Sequence, residues 1–424
     1  MDKELNNIWE LYGLRENPFS TSPLLVKGGT LPIESFVGRE EQVKRLLRIF
    51  GSRGGSRMLV CGDVGAGKTT FVNYARNHAL QKGFFTPFKE IGVQGYWDTD
   101  QFILNTLAGI YATAKLMKED QRPLDKGSYK KLEALLEIGS KDFEGGVSAA
   151  GFGINIGRQT RQPTQISTIT LESLFQEITA EIVEKTGKDM ILHYNNLELL
   201  PESSITTIFN NLRDLMQTPN IHFVFVGNLT VKSIFQNMPR VSSIMSDTPI
   251  IIDSLKKEEI EEIIKKRMEK IRIGKDLNYV VPYNPDVLKT LYDLYGGNIR
   301  DILNSLSTAI TEVAKEKPVI LDQALLERTL KSVVEKRYLT GLQKRARQVL
   351  LEAVKHKEIT NRELSDRTKI ARTNISTYLK QLESSGCMYL RRKEGKDKYW
   401  ATDPRIKWLM LSEGKSLYKP LTEY

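Results

Sequence analysis

The chain has 424 residues, 40% of them apolar and 27% charged, with a formal net charge of +10. That length exceeds one ordinary hydrophobic core and suits two or three domains, and no apolar run approaches the roughly 20 residues of a membrane span, which argues against an integral membrane protein. Two cysteines, Cys61 and Cys387, and four histidines without ligand spacing argue against a disulfide framework and a zinc site.

The first seven residues lack the basic and apolar stretches of a secretory signal, so a cytoplasmic location is expected. Residues 1–33 form an N-terminal extension whose apolar, turn-rich stretch 12–19 is expected to pack on the core that follows. Residues 57–61 are a short apolar run, followed by Gly62-Asp63-Val64-Gly65-Ala66-Gly67-Lys68-Thr69-Thr70 and then by the helical stretch 71–75. Strand, loop and helix in this order, with GxxxxGK[ST] spacing, are a P-loop. Its glycines let backbone N–H groups curl around phosphate, and the helix N-terminus adds partial positive charge. Lys68 is expected to reach the β- and γ-phosphates and Thr69 to ligate Mg²⁺.

Further strand-like runs at 84–91, 189–196 and 221–228 alternate with helical ones such as 100–118, which predicts an α/β domain with a mainly parallel sheet. A glycine-rich insertion, 140–165, reads as a hairpin or flexible loop. Its Arg158 and Arg161 suit contact with DNA or a partner, and a surface loop without function fits equally. From Leu255 the chain turns helical: Ile260, Ile263, Ile264, Arg267, Met268 and Ile271 recur at three- and four-residue steps, and further helices are predicted at 286–295, 299–315 and 322–334.

Residues 341–424 hold 19 Lys and Arg against 10 Asp and Glu, so nearly all the net charge sits at the C-terminus. A concentrated positive field attracts polyanions. Helices are predicted over 342–356, from Thr360 as cap, and over 371–383, followed by two strands joined by a charged turn over 387–402. This is a helix-turn-helix with a wing. The third helix would offer Arg372, Thr373, Asn374, Thr377 and Lys380 to the major groove of double-stranded DNA, and Arg391, Arg392, Lys393, Lys396 and Lys398 would meet phosphates or the minor groove. A winged helix can also dock protein.

The ordered signatures resemble the AAA+ ATPases, most closely the archaeal and eukaryotic origin-recognition initiators, over roughly residues 34–400. The resemblance implies an α/β P-loop AAA+ core over 34–253, a helical lid over 254–338, a winged-helix domain over 339–405 and a tail over 406–424. It also implies ATP as the nucleotide and self-association through the core. Phe36-Val37-Gly38-Arg39-Glu40-Glu41 is similar to the segment lining the adenine pocket, with Val37 within it. Asn228 resembles the polar sensor that orients water, and Arg240 lies where the initiators carry an arginine finger. Arg300 resembles the second sensor, reaching the γ-phosphate from the lid.

Two adjacent positions depart from the family. Its metal-binding strand ends in Asp-Glu, and this chain has Asn195-Asn196, with Glu198 two residues further on. An amide carries no negative charge and is a poor base, so slow hydrolysis and a switch-like use of ATP are expected. Replication initiation is the leading role; transposition, transcription control, defence or a protein-binding scaffold are the alternatives.

Overall fold

The structure, a computed structural model, describes residues 7–52, 54–141, 167–274, 278–314, 317–394 and 397–412. Nearly all of the glycine-rich insertion, with Arg158 and Arg161, lies outside the described residues, as do Lys396 and the tail beyond residue 412. The chain divides into two compact units: one spans 22–254, and the other joins the N-terminal residues up to Thr21 to the chain from Leu255 onward.

The 22–254 unit is built on five strands, β1 (Ser56–Gly62), β2 (Ile91–Gly92), β3 (Met190–Asn195), β4 (Ile221–Gly227) and β5 (Ile250–Ile252), in the order β2-β3-β4-β1-β5. Every pairing is parallel. Every residue of β3 and β4 is buried, as a sheet covered on both faces requires. Alternate residues divide between two cores. Met58, Val60, Ile191, Val224 and Val226 face α1 (Glu40–Gly51) and α2 (Lys68–Gln81). Leu59, Leu192, Tyr194, Phe223 and Phe225 face α3 (Thr99–Leu116), α5 (Thr168–Thr186), α6 (Glu202–Asn211) and α7 (Leu229–Gln236). Between α3 and α5 runs α4 (Lys126–Lys141), and α8 (Pro239–Ser242) follows α7.

Two details depart from the sequence reading. The apolar run 84–91 is a strand only at Ile91–Gly92, with Phe85 making an isolated bridge to Met190. Pro87 interrupts it because proline has no N–H to give a ladder. The sheet also has β5, a run of three isoleucines at its edge.

At the N-terminal ends of β1, β3 and β4 a buried polar cluster fastens the sheet. Ser56 Oγ lies 2.8 Å from His222 Nδ1, and His222 Nε2 lies 3.4 Å from Asp189 Oδ2. That carboxylate oxygen accepts from the backbone N–H groups of Gly54 and Gly55, each at 3.1 Å. Gly55 is required here, since a Cβ would lie 2.4 Å from the Ile221 carbonyl oxygen. Ser56 and His222 are both buried, so the Ser-His-Asp grouping serves the fold and is closed to substrate.

The second unit contains the helices α9 (Lys257–Ile271), α10 (Pro285–Tyr295), α11 (Ile299–Val313) and α12 (Gln323–Val334). Residues 12–19, expected to pack on a core, are built into that of this helical unit. Tyr12, Leu14 and Phe19 are fully buried. Tyr12 Oη donates to the Val319 carbonyl and accepts from the Val319 N–H. Arg15 N–H donates to Ile271 O and Ile273 N–H to Gly13 O, a short antiparallel bridge. Arg267, expected only as one position of an amphipathic stripe, is buried and donates to the carbonyls of Pro18 and Ser20. Three large side chains at about 1.5–3 kcal/mol each hold the segment down, and no residue type in 12–19 signals which helices it will meet.

The winged helix follows a π-helical turn, Glu335–Leu339. It consists of α13 (Lys344–Ala353), β6 (Ile359–Thr360), α14 (Asn361–Thr368), α15 (Arg372–Ser384), β7 (Met388–Glu394), β8 (Asp397–Thr402) and α16 (Pro404–Ser412). Its core is continuous with the end of α12: Val334, Tyr338 and Leu339 pack with Val349, Leu379 and Trp400. Thr360 caps α14 in a reciprocal capping box with Glu363.

Burial pushes the His222 imidazole down to about 4, against a weaker upward pull from Asp189. Its folded-state pKa is therefore below its unfolded value, and the unfolded chain binds the extra proton between roughly pH 6.5 and 4. Stability should be fully present above pH 6.5 and fall as the pH drops through this window, by about 3 kcal/mol from His222. Unfolding midpoints measured from pH 7 to 4 check this, with His222→Gln expected to flatten the slope.

Candidate nucleotide site and winged-helix face

The P-loop joins the C-terminal end of β1 to the first turn of α2. Gly65 and Gly67 have φ of 86° and 88°, which L side chains rarely adopt, and no side chain caps the helix. The first N–H groups of α2 thus point out of the helix end with the dipole behind them, the arrangement an anion needs. Lys68, buried along its stem, donates from Nζ to the carbonyls of Gly62 and Asp63, both at 2.9 Å. Asp63 and Val64 are exposed at the tip, while Gly65 and Ala66 are buried. These features fit a polyphosphate.

Gly62 serves a second purpose. A Cβ there would lie 2.3 Å from the Ile252 carbonyl oxygen, so glycine lets β5 pair directly beside the start of the loop.

Thr69 and Asn195 meet across the loop: the Thr69 hydroxyl donates to Asn195 Oδ1 at 3.1 Å. A divalent ion would find here a hydroxyl and an amide oxygen, both neutral oxygen donors of the kind Mg²⁺ accepts but without a carboxylate charge. Among the described residues no three His, Cys, Asp or Glu side chains gather as a metal cluster. Asn196 takes the left-handed conformation, φ 66°, and turns the chain into the short helix carrying Glu198. Glu198 Oε2 is buried without a protein partner. Its charge is felt at Cys61, whose thiol burial pushes up to about 12 while Lys68 and Lys232 pull it down and Glu198 pushes it further up.

Asn228 directly follows β4 and caps α7, its Oδ1 accepting the Val231 N–H at 3.1 Å. That bond leaves the amide nitrogen as the donor to anything bound at the strand end. Phe36 stacks on Tyr74 of α2 with ring centroids 4.3 Å apart, which holds the segment containing Val37 against the P-loop helix. Arg240 is exposed on α8, and Arg300 is exposed in the first turn of α11, in the other unit.

Behind α2 lies a network that the sequence did not announce. Arg76 is fully buried, its guanidinium donating to Thr86 Oγ1 at 2.8 Å, Asn73 Oδ1 at 2.7 Å and the carbonyls of Pro87 and Lys89. Its Nη1 lies 3.3 Å from His193 Nδ1. Asn73 in turn donates to the Leu24 carbonyl at 3.0 Å, and Leu24 N–H donates to Thr70 Oγ1 at 3.3 Å. Thr70 therefore holds a chain segment as well as standing beside the phosphate cradle. An arginine between the apolar positions Val72, Ala75 and Ala79 of α2 was the available signal.

On the winged helix, Ile375, Leu379 and Leu382 of α15 are fully buried, and Arg372, Thr373, Asn374, Thr377 and Lys380 are exposed. Trp400 Nε1 donates to Asn361 Oδ1 at 2.9 Å and Asn361 Nδ2 to Ser376 Oγ at 3.0 Å, locking wing, α14 and α15 together. In the wing, Lys398 is exposed and Arg391 lies 3.8 Å from Glu358. Arg392 and Lys393 occupy β7, paired with Tyr399 and Lys398 of β8.

Residues 342–387 match the family described as winged helix-turn-helix DNA-binding. No curated protein sequence matches the chain. Among solved structures it is similar to the Aeropyrum pernix ORC1 protein in complex with DNA (16% identity, 90% of this chain and 94% of that one, TM-score 0.45). It is also similar to the Aeropyrum pernix ORC2 protein in ADPNP-ADP complexes (13%, 94% and 98%, TM-score 0.48) and to Cdc6p from Pyrobaculum aerophilum (16%, 94% and 98%, TM-score 0.44). By its own strand order and elements, the chain has an α/β P-loop core on a parallel five-stranded sheet, a set of helices after it and a C-terminal winged helix.

Proposed function

We propose that the protein is a cytoplasmic ATP-binding switch that holds double-stranded DNA through its winged helix and acts in replication initiation. The observation that carries this reading is one chain with both an uncapped P-loop helix and a winged helix whose recognition face exposes Arg372, Thr373, Asn374, Thr377 and Lys380. Local excess positive charge favours DNA over protein as the occupant of that face. ATP binds with Lys68 on its phosphates, Mg²⁺ is held at Thr69, and Asn228 serves as the polar sensor; Arg240 and Arg300 act on the nucleotide as finger and second sensor. Self-association through the core is supported by Val64, Leu199 and Leu229, large apolar side chains left exposed beyond the C-terminal ends of β1, β3 and β4.

Hydrolysis is slow in this reading, because Asn195 and Asn196 offer neither a charge for the metal nor a base for water. A unit negative charge about 4 Å from a divalent ion in water is worth about 2 kcal/mol. Asn195→Asp should accordingly strengthen Mg²⁺-dependent ATP binding by roughly tenfold or more, read by titration with and without Mg²⁺. Turnover of the unaltered protein should stay below about 0.01 per second, the level of an incomplete P-loop hydrolase, and rise when Asn195→Asp is combined with Asn196→Glu. Several turnovers per second would refute the switch.

Footprinting of the full chain on its own genome's DNA, with and without ATP, tests the role. Sharp ATP-dependent sites at a replication origin are expected; sites at transposon ends or promoters point to the alternatives, and no protection at all points to a scaffold. Replacing Lys396 and Lys398 by alanine should weaken binding to all sequences alike and reduce the slope of log affinity against log salt by about 2. An unchanged slope removes the wing from the DNA interface.

A further inference from the structure

The backbone passes between the two units twice, after Thr21 and after Ser254, and in the 22–254 unit both crossings are tied to the P-loop. At the first, Leu24 is gripped by Thr70 and Asn73 of α2. At the second, Arg39 donates from Nη2 to the Asp253 carbonyl at 2.8 Å. The other terminal nitrogen of Arg39, Nη1, lies 3.8 Å from where a Cβ on Gly67 would stand. The guanidinium therefore spans from the phosphate loop to the last residues of the core. Asp253 follows directly on Ile252, which is paired with Gly62 at the start of the loop.

Arg39 itself is held in an unusual state. It has φ 59°, a left-handed conformation that costs a non-glycine residue about 1 kcal/mol or more. It occupies the N-cap of α1 yet makes no capping bond with its side chain, so its long stem is spent on reaching Gly67 and Asp253. A guanidinium matches phosphate with two parallel bonds, and charge-assisted bonds are about twice as strong as those to a neutral carbonyl. A phosphate arriving beside Gly67 competes with the Asp253 carbonyl for the same fork.

We propose that Arg39 contacts the terminal phosphate of the bound nucleotide and passes its presence to the chain crossing at Asp253, so that the protein tells ATP from ADP at this residue. The proposal rests on the nucleotide reading above. Lys68, turned onto the loop's own carbonyls, belongs to the interior of the cradle; Arg39, partly exposed, stands at its outside, where a third phosphate adds charge.

The test uses the full chain with Arg39→Gly, which suits φ 59°, and with Arg39→Lys, which keeps the charge and loses the fork. Affinities for a non-hydrolysable ATP analogue and for ADP are measured by titration, and hydrogen exchange is followed at the amides of residues 252–256. The unaltered protein should show slower exchange there with the ATP analogue than with ADP. Both variants should lose about tenfold in affinity for the analogue, keep ADP affinity within about twofold and lose the exchange difference. Equal losses for both nucleotides, unchanged affinities, or an exchange difference that survives in the variants would overturn the role of Arg39 while leaving ATP binding intact. Failure of the unaltered protein to bind either nucleotide would overturn the nucleotide reading, and this one with it.

Discussion

A buried guanidinium carries five N–H donors and a charge that leaving water strips of solvation, so the protein must surround it with acceptors or lose several kcal/mol. Arg76 imposes that demand on the centre of the nucleotide-binding unit. It takes the carbonyls of Pro87 and Lys89, which are available because Pro87 keeps that stretch out of the sheet, and it takes Thr86, Asn73 and the ring of His193. His193 lies on the same face of β3 as Asn195, two residues along. One side of α2 therefore meets β3 through polar contacts at two levels: Thr69 with Asn195 near the phosphate loop, and Arg76 with His193 further in. Burial brings the Arg76 pKa down to about 10, with Glu90 pulling it up, so the charge persists at neutral pH. The loop, its helix and β3 are placed with respect to each other by satisfying that charge.

What the sequence made legible follows from how local each signal is. The P-loop is a nine-residue spacing whose geometry depends only on its glycines and its helix, and it was readable without any partner. The winged helix was readable for a similar reason: each of its elements has its own apolar periodicity, and Thr360 with Glu363 forms its cap from four adjacent residues. Elements whose state depends on distant partners were not readable. Phe84 to Ile91 has strand composition, yet the backbone carbonyls around Pro87 go to Arg76 instead of a ladder. Residues 12–19 carry an apolar signal without an address, because the Arg267 guanidinium and the helices that receive them come more than 240 positions later.

Asn195 and Asn196 illustrate a distinction between shape and charge. Asn195 keeps the hydrogen bond to Thr69 that holds strand end and loop together, since an amide oxygen accepts from a hydroxyl as a carboxylate does. Asn196 adopts the left-handed turn that asparagine tolerates better than most residues. In the proposed reading the shape at the end of β3 is kept while its negative charge is not, so that binding and turnover become separable properties of one fold.

The N-terminal strap has a consequence for how the chain reaches this state. The bonds between Tyr12 and Val319 join positions 307 residues apart, and the whole 22–254 unit is synthesised in the interval. A nascent chain can complete the parallel-sheet unit as soon as its strands emerge, but Tyr12, Leu14 and Phe19 have no hydrophobic home until the helices after Leu255 follow. Contacts of such separation form late and slowly. A segment made before the whole 22–254 unit is thus buried only after it, and its aromatic side chains stay exposed in the interval.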